Sequence, residues 1–256
     1  MKSEGRGVIG IVGGVGPYAG LDLNQKIFAS TKTEREQDHF QVFLLSSSSR
    51  IGDRTEYLLN PDRFENPGNP IYEVIEKLSA IGADVVGIPC NTSHCEPIFS
   101  LIEERMRRSG LTVKLLHMIR ETYLAIRSEY PLVRRAGLLA TQGTYHSAVY
   151  SSVFSEGGGV EIVVPEPDER KRVHDAIYHP DYGIKNHPNP IRKEATTALT
   201  DVAEALVGRG VDAIIMGCTE IPLAMRPVKL GVPRIDTTMV LAQALIREAG
   251  EGTRCG

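Results

Sequence analysis

Short apolar runs punctuated by glycine or proline alternate along the chain with longer segments in which apolar residues recur at helical spacing. The runs at 8–12, 40–45, 85–88, 111–116, 136–140, 160–164, 213–216 and 233–236 read as strands. The run 85–88, set between Gly82 and Pro89, fits a strand buried on both faces. Segments 19–30, 69–81, 96–108, 117–129, 145–154, 194–208 and 239–249 read as helices, and 174–178 belongs to another. In 69–81, Ile71, Val74, Ile75 and Leu78 fall on one helical face. Stretches 46–55, 141–144 and 182–190 read as loops, and Pro131 marks a break between halves. Alternation of strand and helix predicts parallel sheets with helices on both faces and right-handed crossovers.

One phrase occurs twice. Gly82-Ala83-Asp84-Val85-Val86-Gly87-Ile88-Pro89-Cys90 is matched by Gly210-Val211-Asp212-Ala213-Ile214-Ile215-Met216-Gly217-Cys218, with six residues from aspartate to cysteine in each. The cysteines lie 128 residues apart. Gly10 and Gly137, which open matching strand-and-loop units, lie 127 apart. Two anchors at one offset argue for an internal duplication. The expected fold is α/β, with two pseudo-twofold-related lobes, each a parallel sheet flanked by helices. The lobes are 1–116 plus 232–256, carrying Cys90, and 117–231, carrying Cys218. Ligands of such sheets sit at the carboxyl ends of the strands. Both cysteines would therefore meet in the cleft between lobes.

Composition narrows the partners. A formal charge of -3 over 256 residues, with no basic run, gives no footprint for nucleic acid. No apolar stretch approaches a membrane span, and the opening MKSEGRG carries no apolar signal segment, so a cytoplasmic protein is expected. There are four cysteines: Cys90, Cys95, Cys218 and Cys255. A reducing compartment keeps them as thiols, available for catalysis.

A lone cysteine at a strand end is a nucleophile, a metal ligand or a small buried hydrophobe. Two related by a pseudo-twofold suit a narrower task. A carbon acid held between them loses a proton to one thiolate and regains one from the other thiol on its opposite face. Thiols titrate near enough to neutrality for this. Asn91, Thr92 and Thr219 follow the cysteines directly and supply donors for a substrate carboxylate. Arg50 and Arg54 lie in a loop at a strand's carboxyl end. Their forks suit a carboxylate, and the other reading is a solvated arginine or an ion pair with Asp53. Lys185 is either exposed or reaches into the cleft. Gly13-Gly14-Val15-Gly16-Pro17 lacks dinucleotide spacing, so its glycines fit the close approach of a small anion better than a nucleotide. Cys90, His94 and Cys95 match no common structural zinc spacing. His94 either starts a helix or orients or acidifies a neighbouring group.

The motifs together resemble the cofactor-independent aspartate/glutamate racemase family, and most closely its aspartate racemase branch. They are the glycine loop, Asp53-Arg54-Thr55, Pro89-Cys90-Asn91-Thr92-Ser93-His94, Leu138-Leu139-Ala140-Thr141-Gln142-Gly143-Thr144, Gly183-Ile184-Lys185 and Gly217-Cys218-Thr219-Glu220. The resemblance implies a two-lobed fold, often dimeric, working without pyridoxal phosphate or metal. It implies Cys90 and Cys218 as the acid/base pair, Arg54 and Lys185 as cations at the site, and Asn91, Thr92, Thr141, Thr144 and Thr219 as substrate-holding residues. The loop expected to read the substrate side chain carries Arg50 where the branch tends to have a neutral amide, and an added cation there would favour an acidic side chain. The expected activity is inversion of an acidic amino acid, aspartate first and glutamate second. Competing expectations are a broad-specificity racemase, a related carboxylic-acid isomerase, and a protein that binds an acidic metabolite without turning it over.

Overall fold

A computed structural model describes residues 6–251. The first residues of the chain and Cys255 lie outside them. The first half runs β1 (Ile9–Gly13), α1 (Pro17–Ser30), β2 (Val42–Ser46), α2 (Arg54–Leu59), α3 (Gly68–Ala80), β3 (Val85–Gly87), α4 (Glu96–Ser109), β4 (Lys114–Leu115) and α5 (Met118–Glu129). The second runs β5 (Arg135–Ala140), α6 (Gln142–Ser147), α7 (Val149–Gly157), β6 (Glu161–Val163), α8 (Pro167–Tyr178), α9 (Lys193–Gly208), β7 (Ala213–Gly217), α10 (Ile221–Met225), β8 (Arg234–Asp236) and α11 (Thr237–Glu251).

The strands form two parallel four-stranded sheets, ordered β2-β1-β3-β4 and β6-β5-β7-β8. The repeat seen in the sequence carries into the register. Ile9 pairs with Val85 in the first sheet, and Ala136 with Ala213 in the second. The repeated aspartates tie the strand starts together. Asp84 Oδ2 accepts from the Val8 N–H (2.8 Å), and Asp212 Oδ2 accepts from the N–H groups of Arg134 and Arg135 (2.9 Å each). Their recurrence serves the fold, at the end of each sheet opposite the cysteines.

Strand order reverses between β1 and β3 and again between β5 and β7. Chains leaving such a switch point diverge and open a crevice at the carboxyl ends. The glycine loop and Cys90 sit at the first crevice, Thr141 and Cys218 at the second. One apolar cluster runs through both sheets, from Val12, Val86 and Ile88 to Leu138, Ala213 and Ile215. The last helix of each half crosses over. α5 follows the first sheet but packs on α7, and α11 follows the second sheet but packs on α1 and β3. Gly87 permits that approach, because a Cβ there would lie 2.8 Å from Leu245.

Three boundaries differ from the sequence reading. Segment 234–236, expected in the first lobe, is hydrogen-bonded into the second sheet beside β7, so the chain crosses at 237 rather than 232. The helix expected over 145–154 is broken at Ala148, whose φ of 52° ends α6 and starts α7. The loop read over 46–55 gives way to α2 at Arg54, because Asp53 caps it by accepting from the N–H groups of Thr55 and Glu56.

Candidate active site

Cys90 follows β3 in extended backbone and leads into a 3₁₀ turn, Asn91–His94. Cys218 follows β7 and leads into α10. Both are buried, and both line one cavity of about 10 Å³. The first lobe contributes Val15, Arg54, Cys90, Asn91 and Thr92 to its wall. The second contributes Thr141, Tyr178, Lys185, Cys218, Thr219 and Glu220. That volume suits about one water molecule, so the structure is a closed state that must open to admit an organic ligand.

Hydroxyl and amide groups close the lobes over the cavity. Thr92 Oγ1 lies 2.9 Å from Thr144 Oγ1 and 3.3 Å from Thr141 Oγ1, and Thr55 donates to Thr141 at 3.4 Å. Gly143 makes room for this, since a Cβ there would fall 2.8 Å from the Thr55 backbone. Asn91 accepts from the Tyr150 hydroxyl (2.6 Å) and donates to Thr237 (3.3 Å). Tyr178, at the end of α8, donates to Asp53 Oδ2 at 2.9 Å. Burial works against the Asp53 charge, but Arg54, the Glu56 N–H, Lys185 and the Tyr178 hydroxyl outweigh it and hold the carboxyl below its ordinary range.

Three charged side chains line the wall. Arg54 donates from Nη1 to the Gly52 carbonyl (2.9 Å) and from Nη2 to that of Val15 (2.6 Å), while its buried Nε has no protein partner. Burial opposes its charge, yet Cys90, Asp53 and Tyr178 raise it above the usual guanidinium value. Lys185 Nζ lies 3.3 Å from Glu220 Oε1 and 5.1 Å from the Tyr178 ring centroid. Its desolvation is outweighed chiefly by Glu220, and it too is raised. Glu220 Oε2 accepts from the Cys218 thiol and from Thr219 Oγ1, both at 3.0 Å. Burial would neutralise this carboxyl, but Lys185 and the two donors lower it below its ordinary range. Burial and then the Glu220 charge push the Cys218 thiol well up.

Behind Cys90, His94 Nδ1 is 2.9 Å from the Cys90 carbonyl, so that nitrogen carries the proton, and buried Nε2 has no hydrogen-bond partner. Its ring stacks on Phe99 and meets the edge of His117. Burial lowers it to about 4. Cys95 turns away, donating to Ser147 (2.8 Å), and burial pushes it up to about 12. No group of three His, Cys, Asp or Glu side chains suited to a metal occurs among the described residues.

Of the residues singled out from sequence, Cys90, Cys218, Arg54, Asn91, Thr92, Thr141, Lys185 and Thr219 line the cavity. Thr144 stands behind Thr92 and Thr141. Arg50 does not belong there: it points into solvent and pairs with Glu73 of α3 at 2.6 Å. Neither Asp53 nor the cavity holds it, so it adds no cation to the site. The glycine loop is shaped by close contacts within the protein. A Cβ on Gly16, at φ 140°, would lie 2.7 Å from Glu220 Oε1, and one on Gly14, at φ 90°, would strike the Ser47 and Ser48 backbone. Glu220 and Tyr178 were missed. Glu220 stands two residues past Cys218, where Thr92 stands past Cys90, and that match was the available signal. Tyr178 is brought in by tertiary packing of α8.

Two parallel four-stranded sheets flanked by helices match the two-lobed fold of solved amino-acid racemases. A model of the Asp/Glu/hydantoin racemase family matches residues 12–245, and the chain belongs to that family. The chain is 24% identical over 246 residues to the broad specificity amino-acid racemase RacX of Bacillus subtilis, covering 93% of this chain and 96% of that one. Among solved structures it is similar to the aspartate racemase of Picrophilus torridus, with TM-score 0.77 and 28% identity over 95% of this chain and 94% of that one. A glutamate racemase from Francisella tularensis in complex with D-glutamate shares the fold at TM-score 0.65 and 13% identity, over 97% and 82% of the two chains.

Proposed function

We propose that the protein racemises an acidic amino acid, aspartate first and glutamate second, by two-base proton transfer between Cys90 and Cys218 without pyridoxal phosphate. The observation that carries this is the pair of thiols lining one cavity from opposite lobes. In the forward direction the Cα–H bond breaks and its proton goes to one thiolate. The opposite thiol then gives its proton to the other face of the carbanion, and the two sulfurs exchange protonation states. Hydrogen-bond donors on the wall, Arg54 Nε and the groups of Asn91 and Thr92 among them, stabilise the charge that spreads onto the carboxylate.

Group-by-group complementarity supports an acidic side chain. The wall carries Arg54 and Lys185 as cations and Glu220 as an anion. Aspartate or glutamate, with two carboxylates and one ammonium, offers each of those three groups a partner of opposite charge. Glu220 is the wall's one carboxylate for the ammonium, leaving the two cations for the two carboxylates.

The test is α-hydrogen exchange in deuterium oxide and a chiral assay over all proteinogenic amino acids, with no cofactor added. Aspartate or glutamate should exchange and racemise, and Cys90→Ser and Cys218→Ser should each lower racemisation by about 10³-fold or more. Tight binding of an acidic amino acid without exchange would replace this reading with that of a binding protein. A second reading, a broad-specificity racemase, is favoured by the kinship with RacX and by the outward position of Arg50. Comparable turnover of neutral amino acids would establish it.

A further inference from the structure

The duplicated halves are unlike where they touch sulfur. In the second half a carboxylate contacts the thiol: Cys218 Sγ donates to Glu220 Oε2 at 3.0 Å. In the first half the matching position is Thr92, which turns to Thr141 and Thr144, and the charged neighbour of Cys90 is Arg54. Glu220 has little freedom. It is buried, Thr219 shares Oε2, Lys185 holds Oε1, and Gly16 leaves the space it fills.

We propose that Glu220 is a positioning residue that keeps the hydrogen of Cys218 on sulfur, so that in the empty enzyme Cys218 is the proton donor and Cys90 the first base. This assignment of roles rests on the racemase reading. The hydrogen bond to a carboxylate fixes a proton on the thiol, and burial beside that charge raises the same thiol. An enantiomer bound with its α-hydrogen toward Cys90 reacts directly: Cys90 takes that proton, and Cys218 gives its own to the opposite face. The other enantiomer requires the proton to pass from Cys218 to Cys90 before it reacts. The equilibrium constant of a racemisation is one, which forces kcat/KM to be equal for both hands. The inequality must therefore be read on the sulfurs themselves.

The experiment is iodoacetamide alkylation of the full-length protein across pH 6 to 10, with peptides quantified by mass spectrometry. At any one pH, the Cys90 rate in each variant relative to wild type reports a change in opening of the cavity. Glu220→Gln removes the charge and should move the Cys218 profile to lower pH by about one unit, a gain near tenfold at pH 7.5. Glu220→Asp, which keeps the charge, should stay near wild type. Lys185→Met breaks the same ion pair but removes the cation, and should slow alkylation of Cys218. A merely structural role for the pair would move Glu220→Gln and Lys185→Met in the same direction, and that result overturns the proposal, as does an unmoved profile in Glu220→Gln. Should Glu220→Gln not fold, Lys185→Met decides: slower alkylation supports the proposal, and unchanged or faster alkylation overturns it. Wild-type racemisation is scored separately. Its absence with opposed shifts removes the function but keeps the thiol arrangement, and its presence without the shifts removes only the role of Glu220.

Discussion

A charge network of Asp22, Lys26, Arg226 and Asp236 joins the two lobes, and Lys26→Met tests what it contributes to stability. Lys26 of α1 places Nζ 2.5 Å from Asp22 Oδ2 and 2.7 Å from Asp236 Oδ2, and Arg226 reaches Asp22 Oδ1 at 3.0 Å. Asp236 ends β8 and starts α11 by accepting from the N–H groups of Thr238 and Met239. The four charges cancel, and Lys26 is the member that bridges both carboxylates. Methionine keeps most of the volume but leaves Asp22 with Arg226 and Asp236 with backbone donors alone. Removing one partner of a buried pair costs about 3–5 kcal/mol. The Asp236 side chain is 23% exposed and Arg226 remains, so the lower end applies, about 3 kcal/mol. For a chain of this length that lowers Tm by about 6–12 °C. Asp236→Asn keeps the Lys26–Asp22 pair and should cost less, about 1 kcal/mol. Urea unfolding followed by circular dichroism and tyrosine fluorescence measures both. A Lys26→Met protein within 1 kcal/mol of wild type, or an Asp236→Asn protein weaker than it, refutes the reasoning.

Gly16→Ala forces a side chain onto a backbone at φ 140° and against Glu220; it should cost about 1–3 kcal/mol of stability in urea and lower kcat/KM by about 10²-fold through the displaced carboxylate. Burial keeps His94 neutral, with a folded value of about 4 against about 6.5 when unfolded. The unfolded chain therefore binds more protons between those values, and stability falls as pH is lowered through that window. His94 alone contributes a loss of about 2 kcal/mol between pH 7 and pH 5, and His94→Gln should flatten the measured slope by that amount. Arg50→Gln removes only an exposed pair with Glu73, so stability should hold within about 1 kcal/mol and the ratio of rates on aspartate and glutamate should not move; a changed ratio would return Arg50 to the site.

The strands and the duplication were legible because both-face burial writes continuous apolar runs, and because Gly-x-Asp with a cysteine six residues on recurs at one offset. α2 was legible in principle: Asp53 with Glu56 three residues later is a helix-start signature. The break at Ala148 was not, since alanine carries no local preference for positive φ. The partner of Arg50 lies on α3, more than twenty residues away, and Tyr178 reaches Asp53 across the lobes. Such contacts depend on how helices pack, and no short-range pattern carries them. Segment 234–236 was misplaced because a short strand before a crossing helix belongs to one sheet while the helix covers the other.

Duplication by itself yields a symmetric pocket, and an amino acid is not symmetric. The first lobe supplies Arg54 and Cys90 to the wall, and the second supplies Lys185 and Cys218. Two like cations and two like thiols would face an ammonium with nothing to receive it. The substitution that resolves this is at the residue two beyond each cysteine, threonine in one half and glutamate in the other. Glu220 is the anion on that wall, is held by the cation of its own lobe, and accepts a hydrogen bond from its neighbouring thiol. Glycine at position 16 of the opposite lobe is what lets it fit. The paired thiols thus come from what the halves share, and the carboxylate beside Cys218 from one of the positions near sulfur where they diverged.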